Sequence, residues 1–256
     1  MRVTFLGTGT SNGVPMVACD CAVCRSNDPR NKRLRSSVWL ERDNAALLID
    51  ASSDFRQQAL THNILDVDNV LITHTHADHV FGLDEFRRFN IKYRKRVKVY
   101  LSADADKELR TTLRYMYETP RQTGGGITAL DNQILQNYQE INIGGFAVTA
   151  LPIKHGLLEI FGWRIDNFAY LTDCSEIPER TFACLKNLDV LVLDALRDTP
   201  HPTHFSLAQA VAAAQRIDAR QTYFTHIAHN LEHEAANKTL PPNMWLAHDG
   251  LVIIVN

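Results

Sequence analysis

The sequence has no apolar run approaching the ~20 residues that a membrane helix needs, no excess of either charge, and few cysteines. The first absence argues against a membrane partner. The apolar stretch at the start, Val3–Leu6, is also too short for a secretory signal peptide, so the predicted location is the cytoplasm. The second absence, 27 Lys+Arg against 29 Asp+Glu, excludes a nucleic-acid binder driven by bulk positive charge but leaves room for a local basic patch. The third is an odd number, five, which no disulfide framework can pair completely. Internal repeats at the level of residue identity and a linker dividing the chain are missing too. With 256 residues, 45% of them hydrophobic, the chain can bury a large core, and it reads as one domain over 1–256. What it has in plenty is histidine, 11 in all.

Short apolar runs bounded by polar residues or glycine predict strands at Val3–Leu6, Val38–Leu40, Ala46–Ile49, Val70–Thr73, Val97–Leu101 and Ile141–Ile143. Further runs stand at Phe146–Leu151, Phe168–Thr172, Val190–Leu193, Thr222–Thr225 and Leu251–Val255. Helical windows cover Ser53–His62, Ala103–Tyr117 and Ser206–Ala219. In the last, Ser206 is a good N-cap and Leu207, Val211, Ala214 and Ile217 carry helical spacing. The strands cluster instead of alternating strictly with helices. That favours an α/β fold of two packed sheets with helices outside over a doubly wound sheet. The glycine-rich stretch Thr119–Gly126 reads as a surface loop, with a close approach to a ligand as the alternative, and the basic run Lys92–Lys98 as a solvated face, with a phosphate-facing role as the alternative.

The histidines are not scattered. Thr73-His74-Thr75-His76-Ala77-Asp78-His79 stands where an apolar strand gives way to a loop. Alternate side chains of an extended segment project to one side, so His74 and His76 can face one ion. Asp78 and His79 lie beyond, where the chain can turn and address a second. Neutral imidazoles and a carboxylate suit zinc, manganese or iron.

His-x-His-x-Asp-His after a hydrophobic strand resembles the signature of the metallo-β-lactamase superfamily. The resemblance implies an αββα sandwich of two mixed β-sheets flanked by helices, with a metal site at one edge. It also implies a later histidine, an aspartate and a late histidine, each following an apolar run. His155, Asp173 and His226 stand in that order. Carried over, His74, His76 and His155 hold one divalent ion, Asp78, His79 and His226 hold the other, and Asp173 bridges. Asp50, closing Leu47-Leu-Ile-Asp50, either orients a ligand imidazole or is an ordinary turn aspartate.

Cys19-x-Cys21-x-x-Cys24 supplies three thiolates, one short of a closed zinc tetrahedron, at spacings that favour metal over disulfides. His229, three residues after His226, is the natural fourth ligand. This pairing resembles the PhnP group of the superfamily, the cyclic-phosphate phosphodiesterases of phosphonate metabolism. It implies one structural zinc in a loop near 19–24. Cys174 and Cys184 fall outside the motif and read as buried thiols.

The PhnP resemblance further implies a dinuclear hydrolase with two divalent catalytic ions, manganese or zinc, that cleaves small or cyclic phosphodiesters. Paired cations lower the pKa of a shared water and clamp a phosphate oxygen. The catalytic residues it singles out are Asp78 and His204. His204, just before the Ser206 helix, aligns with the position of a catalytic histidine and is assigned general acid; His201 is the alternative donor, read as a loop residue. Arg33 and Arg35 either bind phosphate or belong to a solvated basic loop. Three other readings stay open: an RNA-processing nuclease like tRNase Z with nucleic acid as partner, a lactone or thioester hydrolase, and a non-enzymatic metal-binding protein. The expected partner is a small phosphodiester, with a homodimer as the prior assembly. His62, His201, His233 and His248 are left without an assigned task.

Overall fold

Strands form where Val, Ile, Leu and Phe run in short blocks, and they assemble into two sheets. The computed structural model describes residues 1–118 and 126–255, so the expected loop at Thr119–Gly126 lies, but for its last residue, outside the described residues. β1 (Arg2–Gly7), β2 (Ser37–Arg42), β3 (Ala45–Ile49), β4 (Asn69–Leu71), β5 (Val97–Leu101) and β6 (Leu130–Ile134) build the first sheet. β7 (Glu140–Ile143), β8 (Phe146–His155), β9 (Leu158–Ile165), β10 (Phe168–Leu171), β11 (Val190–Asp194), β12 (Gln221–Thr225) and β13 (Met244–Leu246) build the second, and β14 (Val252–Ile254) returns to the first. Among the described residues the orders are β14-β1-β2-β3-β4-β5-β6 and β13-β12-β11-β10-β9-β8-β7.

Each sheet is mixed in the same way. From β14 to β3 neighbours run antiparallel, and from β3 to β6 parallel. From β7 to β10 they run antiparallel, and from β10 to β13 parallel. Between the sheets lie Phe5, Leu40, Phe146, Trp163, Phe168 and Tyr170, all buried. At roughly 25 cal/mol per Å² of apolar area, a buried aromatic of this size contributes about 4–6 kcal/mol against chain entropy. On the outer faces, Phe55, Phe86 and Leu109 pack helical segments on the first sheet, and Ala210, Ala214 and Ile217 pack a helix on the second. The result is the αββα sandwich.

The three expected helices form as Phe55–Thr61, Ala103–Thr112 with a 3-10 turn at Arg114–Met116, and Leu207–Ile217. Ser206 caps the last in a capping box with Gln209. Three strands escape a reading based on apolar runs. β6 is Leu-Asp-Asn-Gln-Ile at a sheet edge, β13 is three residues long, and β9 carries Gly162 in its interior. A Cβ at that glycine would meet Leu171 Cδ2 at 2.2 Å, so the buried leucine would have to shift to admit any other residue.

The strand before the histidine motif ends at Leu71, earlier than expected. Ile72 N then donates to Tyr100 O at 2.9 Å, while Thr73 O accepts from Phe161 N of β9 at 3.0 Å. Thr73 therefore ties one sheet to the other at the point where the motif begins. No helix among the described residues is long and apolar enough to cross a membrane.

Candidate metal centre

The motif residues leave the β4 end in an extended segment and then turn into a short helix, Ala77–Val80, which carries Asp78 and His79. Asp50, Asp173 and His226 follow the ends of β3, β10 and β12 with φ of 58°, 55° and 60°. A left-handed backbone costs a non-glycine residue roughly 1–2 kcal/mol. His74, His76 and His155 offer ligand atoms that all lie within 4.8 Å of one another, and Asp78, His79, Asp173 and His226 form a second such group. Asp173 reaches both. Its Oδ1 is 3.8 Å from His74 Nε2 and 3.3 Å from His226 Nε2, and its Oδ2 is 3.3 Å from His79 Nε2.

Asp50 sets the orientation of two rings. His79 Nδ1 donates to Asp50 Oδ2 at 2.7 Å; His74 Nδ1 donates to Thr73 Oγ1 at 3.1 Å, and that hydroxyl donates to Asp50 Oδ2 at 2.9 Å. His155 Nδ1 donates to Thr203 O at 2.8 Å. With Nδ1 engaged, each ring presents Nε2 to the cluster. His74 Nε2, His79 Nε2 and His226 Nε2 are buried without a hydrogen-bond partner. A buried polar atom left unpaired costs on the order of 1–3 kcal/mol. A divalent cation is the partner that imidazole Nε2 atoms and two carboxylates suit, so the residues present fit a metal.

The electrostatics point the same way. Burial, reinforced by the neighbouring His79, holds His74 well below the ordinary imidazole range. Burial also opposes charge on His79 and His226, but carboxylates overcome it. Asp173, Asp78 and Asp50 hold His79 well above its usual value, and Asp173, Asp78 and Asp194 push His226 up to about 9. Without cations, protons on these imidazoles balance the carboxylates, so metal uptake must displace them.

Sequence reasoning misses Asp194, the last residue of β11. Its Oδ2 accepts from Cys174 N at 3.2 Å, Phe205 N at 3.1 Å and His204 Nδ1 at 3.2 Å. His204 stacks on His226, with ring centroids 4.8 Å apart, and its ligand atom falls within 4.8 Å of those of His155 and Asp173. The signal was available: Asp194, like Asp50 and Asp173, is an aspartate closing an apolar run.

The family model of the beta-lactamase superfamily domain matches residues 46–227. A solved structure of a new diphosphatase from the PhnP family superposes with a TM-score of 0.92 at 41% sequence identity, covering 100% of this chain and 98% of that one. This chain belongs to the metallo-β-lactamase superfamily, in its PhnP family. It has the metallo-β-lactamase fold. The Octanoyltransferase of Porphyromonas gingivalis (strain ATCC BAA-308 / W83) is 36% identical over 259 residues, covering 100% of this chain and 52% of that protein. Ribonuclease Z of Staphylococcus haemolyticus (strain JCSC1435) is 28% identical over 173 residues, covering 65% of this chain and 50% of that protein. The PhnP-family chain thus spans about half the length of these two relatives.

A separate cluster in this PhnP-family fold gathers Cys19, Cys21, Cys24 and His229. Their sulfurs lie 3.2, 3.4 and 3.6 Å from His229 Nδ1, and all three cysteines are free. The Cys24 amide draws the Cys21 thiol down to about 6, and burial pushes the Cys24 thiol up to about 11. Ile227 N donates to Thr8 O at 2.9 Å and Thr10 N to Ile227 O at 3.2 Å, which fastens residues 226–229 to the N-terminal loop. One short segment therefore presents His226 to the first cluster and His229 to the second.

Two expectations need correction. Arg33 is neither solvated nor turned toward a substrate. It is 3% exposed, and its guanidinium donates to Thr8 Oγ1, Ala247 O and His233 Nδ1. Arg35 is braced by Asp54 Oδ1 at 2.8 Å and Ser11 O at 3.0 Å. Cys174 is buried as expected, but Cys184 is only half-buried, at the end of a surface helix, Glu179–Cys184.

Proposed function

We propose that this protein is a phosphodiesterase acting on small phosphodiesters, cyclic ones included. The observation that carries the reading is the Asp194–His204 pair set against the ligand cluster. His74, His76 and His155 would hold one divalent ion and Asp78, His79 and His226 another, shared through Asp173, with zinc or manganese suited to both. Cys19, Cys21, Cys24 and His229 would hold a structural zinc. When bound, the catalytic cations supply Lewis-acid activation of water and neutralise charge on the phosphoryl oxygens.

The chain's own contribution is a positioned proton. Asp194 takes the Nδ1 hydrogen of His204, so Nε2 is the atom left to donate to a leaving oxygen. His201 lacks that support: its Nδ1 accepts from Thr203 N at 3.3 Å and lies 3.2 Å from Thr203 Oγ1. A tRNase Z-like activity on nucleic acid is less well supported. Within the basic run Lys92–Lys98, Lys95 is paired with Asp66 and Asp68, and Arg96 is tied to Leu130 O. Small phosphodiesters are therefore the partner we propose. The similar PhnP-family structure is that of a diphosphatase, which likewise hydrolyses a bond at phosphorus, there an anhydride and not an ester.

The test is His204→Ala on metal-loaded protein. Hydrolysis of diesters with alkyl leaving groups is expected to fall about 100-fold, and that of 4-nitrophenyl esters less than about tenfold. Equal losses on both remove the general-acid role. A fully loaded wild type that cleaves no diester, or Asp78→Ala at full activity, removes the whole reading.

A further inference from the structure

Two clefts reach the ligand cluster, and they share no lining residue. The His155 ring lies 5.2 Å from His76 of one and 4.7 Å from His204 of the other by ring centroids. The wider cleft, about 920 Å³, reaches the cluster at His74 and His76; its walls mix Lys107 and Lys154 with Leu157, Leu158 and Ile160, and it carries three carboxylates, Asp104, Glu108 and Glu159. The smaller cleft, about 260 Å³, reaches the cluster at His204. Ser11, Asn12, Arg197, His201 and Asn230 line it, and among the described residues no carboxylate does. Arg197 is fixed there: Nε donates to Thr199 O at 3.2 Å and Nη2 to Pro200 O at 2.9 Å, which leaves Nη1 without a partner among the described residues.

A general acid must stand beside the oxygen it protonates. The group that departs therefore occupies the cleft that His204 lines, and the group that stays on phosphorus occupies the other. We propose that the smaller cleft is a leaving-group site for a compact alcohol bearing an anionic substituent, and that the wider cleft houses a retained group of nucleoside size. The proposal rests on the phosphodiesterase reading above. In the step it describes, the oxygen of water bonds to phosphorus. The bond from phosphorus to the compact alcohol's oxygen breaks with its electron pair on that oxygen. His204 Nε2 protonates it and is reprotonated by the hydrogen that the water gives up.

Adenosine 5′-(carboxymethyl) phosphate carries both groups on one phosphorus. Metal-loaded wild type is expected to yield adenosine 5′-monophosphate and glycolate; adenosine and carboxymethyl phosphate as products overturn the proposal. Against the carbamoylmethyl analogue, kcat/KM is expected to favour the carboxylate by about tenfold, the scale of one charge-assisted hydrogen bond. Arg197→Gln is expected to bring that ratio near one, and a ratio left unchanged overturns the role of Arg197. Bis(4-nitrophenyl) phosphate in the same assay separates the two levels. Failure to cleave it sinks the phosphodiesterase reading, whereas cleavage with the wrong adenosine products sinks only the assignment of the clefts.

Discussion

At the scale of single residues, Asp194 has three donors on one buried oxygen, two of them backbone amides. Asparagine keeps an oxygen for the amides but loses the charge that holds the His204 proton on Nδ1. Asp194→Asn is therefore expected to cut turnover of alkyl-leaving diesters about 100-fold with a small change in melting temperature. In a His204→Ala background it should cost little more, because the two side chains act as one unit; additive losses would show that Asp194 is merely structural. The ligands themselves were legible because histidine is rare and these cluster at strand ends. Arg33 was not, because a guanidinium in a basic loop looks solvated until the Thr8, Ala247 and His233 acceptors arrive from distant parts of the chain.

At the scale of elements, the segment from His226 to His233 does most of the tying. Cys21→Ser is expected to lose one zinc equivalent and several degrees of melting temperature while the catalytic cluster still loads; unchanged zinc content would exclude the cysteine site. A few residues on, Arg33 donates to His233 Nδ1 at 3.1 Å, which requires a neutral ring. Burial, then Arg33 and Arg30, bring His233 down to about 4. The unfolded chain takes up this proton near its ordinary value of 6.5 and the folded chain does not, so the contribution is whole above that pH and is lost as pH falls toward 4. By pH 5 the loss is on the order of 2 kcal/mol. His233→Gln should flatten this acid limb in urea unfolding at pH 7 and pH 5. Asp249, lifted to about 6 by burial, adds an opposite slope to both proteins and cancels in the comparison. Elements with continuous apolar runs were readable in advance. Those made by context were not: β6 is polar because it sits at an edge, and Ala77–Val80 and Arg87–Tyr93 are too short for a periodic pattern.

At the scale of the whole molecule, the two sheets share one plan that residue identities conceal. β3 and β10 occupy the same place in it, and so do β4 and β11. Each corresponding pair delivers acids or imidazoles to the same edge: Asp50 and Asp173 after the first, His74 and Asp194 at the second. The αββα architecture could be inferred from the motif and the clustering of strands. The pseudo-symmetry could not, because apolar core positions exchange Leu, Val and Phe without changing the pairing.

The left-handed turns at Asp50, Asp173 and His226 carry a consequence for the history of such a protein. Glycine would take each of these turns without steric penalty. In metal-free protein, however, each of these side chains is one partner of the buried balance between imidazolium and carboxylate, so removing it leaves the others uncompensated. Asp173→Gly is thus expected to lower the melting temperature of the metal-free form as well as abolish turnover; a raised melting temperature would show that relief of the turn outweighs the lost pairing. Backbone strain and buried charge pairing therefore pull on the same three codons in opposite directions. A lineage that no longer needed the reaction would still be held to these residues by stability.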